Sequence, residues 1–385
     1  MTETPRKILF LTGTRADFGK LKSLMLRLQE DPDFDVHVFV TGMHMLSKYG
    51  YTYEEVALAG LRNIYKFINQ NTSDRMDSIL AKTIQGLSDF VREIRPDMIV
   101  VHGDRIEALA GATVGALNNI RTSHIEGGEV SGTIDELIRH AVSKLSHVHF
   151  VSNDEAYRRL IQLGEERDAV HIIGSPDIDV MNSSALPNLD EVRRRYEIPF
   201  ERYAVMTFHP VTSEVHDLAR QVSALVDAIL TGQRNYIIIY PNNDHGTNEI
   251  LREYRRLEGN PRFRIFPSMR FEYFLSLLKN AEFMIGNSSA GVREAPHFGV
   301  PAINLGSRQF NRTTCDSVLN VDCDVDQIRL SIDAIANIKR VPSEIFGKGN
   351  SAQEFHRILK RTSVWKLSTQ KYFKDQENTL PSDKR

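Results

Sequence analysis

Two doubly wound α/β domains facing each other across a cleft are predicted for this chain of 385 residues, on three observations. Short, nearly continuous apolar runs alternate with longer amphipathic stretches throughout, the pattern of parallel strands covered by helices on both faces. The length suits two domains at roughly 150 residues apiece, with room for a third element. The periodicity breaks at 174–188, where Ser175-Pro176, Ser183, Ser184 and Pro187 cluster, and this divides the chain into two βα-repeating halves.

The elements follow in order. Runs at 8–11, 36–40, 98–101, 149–152 and 171–173 are apolar or β-branched and short, so they read as buried strands of the first half. Runs at 203–207, 236–240, 263–266, 283–285 and 302–305 read likewise in the second. Helix-period segments at 78–94, 107–117 and 136–145, then 216–230 and 271–278, supply the crossovers. A last helix at 352–360 leads into a polar tail. The expected division is 1–175, 176–350, and 351–385 for that helix and tail.

Composition removes several function classes. Lys plus Arg number 48 and Asp plus Glu 50, a net charge of −2 that supports neither a nucleic-acid nor a membrane-surface partner. Cys315 and Cys323 are the only cysteines, too few for a disulfide framework or a Cys-rich zinc site. No run approaches the roughly 18 apolar residues of a membrane span. The apolar run at 8–11 is too short for a signal peptide, so a cytoplasmic location is expected. His209 has no His or Cys at ligand spacing, and neither a metal nor a cofactor is expected. His44, His147 and His149 read as packing or loop residues.

In open parallel sheets ligands sit beyond the carboxyl ends of strands, so the loops there are where chemistry is sought. The first, Thr12-Gly13-Thr14-Arg15-Ala16-Asp17-Phe18-Gly19-Lys20, fails as a P-loop because five residues separate its glycines and Leu21 follows the lysine. It also lacks the third glycine of a dinucleotide site, and what remains is a turn presenting Arg15. Further on, His102-Gly103-Asp104-Arg105, then His124-Ile125-Glu126-Gly127-Gly128-Glu129, then Thr133-Ile134-Asp135-Glu136 bring Asp104, Glu126 and Asp135 to one sheet edge. Convergent carboxylates shift each other's pKa and divide into acid and base roles. Each also has a structural alternative: Asp104 pairing with Arg105, and Asp135 as a first-turn acid beside a Thr133–Glu136 capping box.

The second half contributes Phe208-His209-Pro210 and Tyr240-Pro241-Asn242-Asn243-Asp244 at two strand ends. It also contributes Gly286-Asn287-Ser288-Ser289-Ala290-Gly291-Val292-Arg293-Glu294, a strand running through small residues into a helix. Free amides and hydroxyls there suit a phosphate. Glu294, about one turn inside that helix, is placed to accept ribose hydroxyls. The alternative is a serine N-cap with a stabilising acid. Phosphate amides beside a ribose carboxylate suggest a nucleoside diphosphate.

Taken in order, Arg15-Ala16-Asp17, His102-Gly103-Asp104-Arg105, His124-Ile125-Glu126-Gly127-Gly128-Glu129 with Ser131-Gly132-Thr133-Ile134-Asp135, Phe208-His209-Pro210-Val211-Thr212 and Gly286-Asn287-Ser288-Ser289 resemble the hydrolysing UDP-N-acetylglucosamine 2-epimerases of sialic-acid pathways. The resemblance runs from Lys7 to about Gly349. It implies the GT-B architecture of two Rossmann-like domains, with the C-terminal helix crossing back to the first domain, and a homodimer or higher homo-oligomer. It assigns Asp104, Glu126 and Asp135 to acid–base work, and Arg15, Arg105 and His209 to the diphosphate. Asn242 and Asp244 would lie on the nucleotide side, Ser288 and Ser289 at the phosphate, Glu294 at the ribose and Arg308 near the site. Glu136 departs from the second Asp of many relatives and stays outside the set.

Non-hydrolysing 2-epimerases read Thr-Arg-Pro-Glu in the first loop, unlike Arg15-Ala16-Asp17 here. Segments 115–120 and 260–274 also resemble enzymes of legionaminic-acid synthesis that act on UDP-N,N′-diacetylbacillosamine, which keeps that substrate open. A GT-B glycosyltransferase shares the fold and nucleotide site, but one base suffices for it where three acids converge here. A nucleotide-sugar-binding module without chemistry would bind and not turn over.

Overall fold

The computed structural model describes residues 4–131, 134–241, 244–309, 312 and 315–374. Seven parallel strands form the first sheet: β1 (Arg6–Thr12), β2 (Phe34–Val40), β3 (Asn63–Lys66), β4 (Met98–His102), β5 (Arg121–Ile125), β6 (Val148–Val151) and β7 (Val170–Ile172), in the order 3-2-1-4-5-6-7. Six form the second: β8 (Ala204–Thr207), β9 (Tyr236–Ile239), β10 (Phe263–Phe266), β11 (Met284–Gly286), β12 (Ala302–Leu305) and β13 (Val318–Val321), in the order 10-9-8-11-12-13. Each sheet reverses its winding once, between β1 and β4 and between β8 and β11. Crevices for ligands open at such switch points.

Every apolar run predicted as a strand lies on one of these strands, within a residue or two at the ends. The strands the runs do not mark are β3 and β13, at the sheet edges and half exposed, and β5, whose buried Thr122, Ser123 and His124 interrupt its apolar run. There His124 shares a hydrogen bond with Ser143 at 3.0 Å and with the Gly103 carbonyl at 2.8 Å. The irregular stretch expected at 174–188 contains a helix, Pro176–Met181. Proline at its first position has no N–H to lose there, so Ser175-Pro176 marks a helix start.

The chain returns to the first domain at its C-terminal end. Helix Ser351–Leu359 places Ala352, Phe355, Ile358 and Leu359 in the same core as Ile8, Phe10, Leu21 and Leu24. The Phe355 ring meets Phe150 edge-on, 4.6 Å between centroids. The tail beyond it, as far as Lys374, is docked as well as polar. Trp365 lies under Arg6 at 4.1 Å, and Lys371 donates to the Ser146 carbonyl at 2.7 Å.

Candidate active site

Both switch points open onto one cavity of about 310 Å³ between the domains. Arg15 and Asp104 follow β1 and β4; His209, Ser288 and Ser289 follow β8 and β11. Gly286 makes the close approach of β11 to β8 possible. Its φ is 132°, and a Cβ there would lie 2.0 Å from the Thr207 carbonyl oxygen. Beyond it Asn287 staples three loops. Its side chain accepts from His209 N at 2.6 Å and donates to the His209 carbonyl at 2.8 Å, while its own carbonyl accepts from Gln309 at 2.8 Å and Arg308 at 3.3 Å.

Glu126 sits at the end of β5 with φ 64°, the left-handed region, which costs a non-glycine residue about 1–2 kcal/mol. Its buried carboxylate accepts from Arg293 at 2.5 Å and from Ser175 Oγ, with His102 Nε2 at 3.2 Å and Lys20 Nζ at 3.7 Å. Burial favours the neutral acid. Arg293, Lys20 and His102 outweigh it and hold the carboxyl well below the usual range.

Asp104 pairs with Arg139, and Arg105 pairs with Asp244 at 3.2 Å, so the Asp104–Arg105 alternative does not hold. Asp135, in the first turn of Ile134–Leu145, lies 3.4 Å from Arg308 of the other domain. Glu136 turns aside to accept from Ser131 N at 2.9 Å; Thr133, its expected capping partner, lies outside the described residues. Asp104, Glu126 and Asp135 all line the cavity.

On the opposite wall His209 is buried. Burial, then Arg308 and Arg105, push its imidazole well below its ordinary pKa, so it is neutral at pH 7. Arg105 is held charged, since Asp244, Glu107 and Asp135 overcome its burial. Arg15 donates to Ser268 at 2.6 Å and pairs with Glu55, joining loops from both domains. Asp244 stands behind Arg105 and outside the cavity wall, and Asn242 lies outside the described residues.

Ser288 caps a 3₁₀ turn, Ser289–Gly291, accepting from Ala290 N at 3.3 Å. The helix expected to continue from there is interrupted. Glu294 opens a separate four-residue helix, Glu294–His297, because Arg293 leaves helical geometry at φ −120° and ψ −71°. Glu294 is buried, with one oxygen 3.8 Å from Lys20 and the other lacking a hydrogen-bond partner among the described residues. Burial raises its carboxyl above the ordinary value.

Sequence reasoning passed over the residues that join the halves. Arg293 reaches across to Glu126 and, at 2.6 Å, to Glu129, with its guanidinium 4.7 Å over the Phe346 ring. Lys20 lies between Glu126, Asp177 and Glu294, and these carboxylates keep it charged against its burial. Both occur within the quoted motifs, but nothing local separates them from ordinary helix-surface cations. Pro267, Met269, Phe271 and Phe274 give the second-domain side of the cavity an apolar wall. Among the described residues, no cluster of His, Cys, Asp or Glu is arranged to hold a metal ion, and no helix is long and apolar enough to cross a membrane.

Residues 26–360 match the family model described as UDP-N-acetylglucosamine 2-epimerase. The UDP-N-acetylglucosamine 2-epimerase of Neisseria meningitidis serogroup B is 47% identical over 374 residues, covering 96% of this chain and 99% of that protein. The UDP-N,N′-diacetylbacillosamine 2-epimerase (hydrolyzing) of Legionella pneumophila is 34% identical over 361 residues, covering 92% and 96%. Among solved structures, the Methanocaldococcus jannaschii UDP-GlcNAc 2-epimerase in complex with UDP-GlcNAc and UDP superposes with a TM-score of 0.79 at 23% identity, over 92% of this chain and 99% of that one. That likeness speaks to the fold, a GT-B-like pair of Rossmann domains. Since the family model and a close relative both run along nearly all of it, the chain belongs to the UDP-N-acetylglucosamine 2-epimerase family.

Proposed function

We propose that the chain is a hydrolysing 2-epimerase that converts UDP-N-acetylglucosamine to UDP and N-acetylmannosamine for sialic-type acid synthesis. The observation that carries this reading is one interdomain cavity with three carboxylates on the first-domain side and a nucleotide-type wall on the other. In this reading residues 1–175 carry the acid–base groups, 176–350 bind UDP, and the segment from 351 returns to the first domain. The working form is a homo-oligomer.

The C2 proton is not adjacent to a carbonyl, so C1–O cleavage leads. The bond's electron pair leaves with UDP, whose charge is met by Arg15, Arg105, Arg308 and the amides after Ser288. Cleavage makes C1 oxocarbenium-like and acidifies C2. Asp104 takes that proton, giving a 2-acetamidoglucal. Water then adds at C1 and gives its proton to Glu126, which starts ionised, while C2 receives a solvent-derived proton from the opposite face by way of Asp135. His209, neutral, donates a hydrogen bond without adding charge, and Glu294 accepts from the ribose. Proton transfers and C–O cleavage require no hydride carrier.

The Legionella relative supports a second reading, UDP-N,N′-diacetylbacillosamine as substrate with the same steps. NMR of products from both sugars separates the two. Turnover of the preferred sugar in D₂O should place deuterium at C2, and ¹⁸O-water should label the free sugar and not UDP. Label in phosphate, or a sugar keeping its C2 hydrogen, refutes the epimerase chemistry. Transfer to an acceptor sugar indicates a glycosyltransferase, and binding without turnover a regulatory module.

A further inference from the structure

The two chain crossings between the domains run side by side and are fastened to each other. Ser175 N donates to the Phe346 carbonyl at 2.7 Å, and Asp179 accepts from Ser351 N at 2.8 Å and Ala352 N at 2.7 Å. Gly174 and Gly347 lie back to back: a Cβ on Gly347 would come within 2.8 Å of Gly174 Cα. A rotation of one domain on the other must turn about this point, since a hinge is the few residues that link the moving bodies.

The same crossing reaches the acid–base site. Ser175 and Asp177 are 0% exposed, and neither lines the cavity. Ser175 Oγ donates to Glu126 Oε1 and accepts from Arg293. Asp177 lies 3.4 Å from Lys20 and 3.8 Å from Arg293, the two cations that also face Glu126. We propose that Ser175 and Asp177 are positioning residues that tie the orientation of the Glu126 carboxylate to the interdomain hinge. Ser175 and Arg293 fix Oε1 of the carboxylate, Lys20 faces Oε2, and Asp177 shares both cations, so Glu126 is in its working position only while the crossings stay in register. This rests on the assignment of Glu126 to acid–base chemistry.

The two residues act on Glu126 with opposite sign. Ser175 gives the carboxylate a hydrogen bond, which favours its ionised form; Asp177 is a like charge, which disfavours it. Arg293, Lys20, His102 and Arg312 face Glu126 as well, with His124 behind it, and both substitutions leave these in place.

The experiment is steady-state kinetics at pH 7 on Ser175→Ala, Ser175→Thr, Asp177→Asn and Glu126→Gln, with UDP affinity by calorimetry as the check on folding. Ser175→Ala should lower kcat about 10- to 100-fold, as expected for losing a hydrogen bond to a charged group, with KM unchanged. Ser175→Thr, which keeps the hydroxyl, should restore kcat. Asp177→Asn should lower kcat about 10-fold at unchanged KM, because Lys20 and Arg293 lose the charge that holds them at the crossing. Wild-type kcat in Ser175→Ala beside an inactive Glu126→Gln overturns the hinge inference alone. Wild-type kcat in Glu126→Gln overturns the acid–base assignment and this inference with it. If Ser175→Ala does not fold, Asp177→Asn decides: a lowered kcat at unchanged KM supports the inference, and a wild-type kcat refutes it.

Discussion

Replacing Arg293 with methionine tests how much of the contact between the domains is electrostatic. The guanidinium lies 2.5 Å from Glu126, 2.6 Å from Glu129 and 3.8 Å from Asp177, and its side chain is 3% exposed. Methionine roughly keeps the packing over Phe346 and removes the charge. Glu126 and Asp177 then keep Lys20, with His102 also beside Glu126, whereas Glu129 loses its one ion pair among the described residues. Removing one partner of a buried ion pair costs about 3–5 kcal/mol, because the other charge is left uncompensated. Urea unfolding at pH 7 should show a loss of that size. The pH dependence carries a second signature. Glu126 has a depressed folded pKa, so its stabilisation is present above the unfolded carboxyl value, near 4.3, and is lost as pH falls below it. Without Arg293 that depression shrinks, and the acid-side loss should flatten. A cost below about 1 kcal/mol would match a solvent-screened surface pair and refute the buried-network account.

Other outcomes follow from the same geometry. Glu126→Gln should retain UDP binding and lower turnover by at least about 10²-fold, the scale of a lost acid–base group; lost UDP affinity in calorimetry would make its role structural. Glu294→Ala should raise the KM for the UDP-sugar and change kcat little, because its proposed partner is the ribose; a kcat collapse at unchanged KM would contradict that. Gly286→Ala should not yield a native fold, since its Cβ would overlap the Thr207 carbonyl, and a wild-type melting profile would show that the strands can part there. Activity should survive a chelator without added NAD; complete loss restored by Mg²⁺ or Zn²⁺ would count against the proposed steps.

Much of the fold is legible because a parallel strand buried on both faces must be apolar, and runs such as Ile237-Ile238 leave little choice. The edge strand at Asn63–Lys66 is buried on neither face and carries no such mark. In the site, Asp104, Glu126 and Asp135 stand out because their loops are short and rich in glycine. Arg293, Lys20 and Asp177 do not, because only the fold brings their partners together: Arg293 is 164 positions from Glu129 and 167 from Glu126 along the chain, and Lys20 is 157 from Asp177. Glu294 shows the converse limit. The residue is legible, but its helix is not the one the small-residue run suggests, since geometry changes at Arg293.

The return of Ser351–Leu359 to the first domain has a consequence for biosynthesis. The core of the second domain draws on residues 204–335, a contiguous stretch, whereas that of the first needs Phe355, Ile358 and Leu359 to close over Phe10 and Phe150. Between the emergence of β7 and that helix the ribosome adds roughly 180 residues, about 10–40 s at bacterial or eukaryotic elongation rates. The domain made first is therefore completed last. Throughout that interval a groove lined by aromatic rings stays open on the nascent chain, a surface that invites chaperone capture until its own C-terminal segment arrives to fill it.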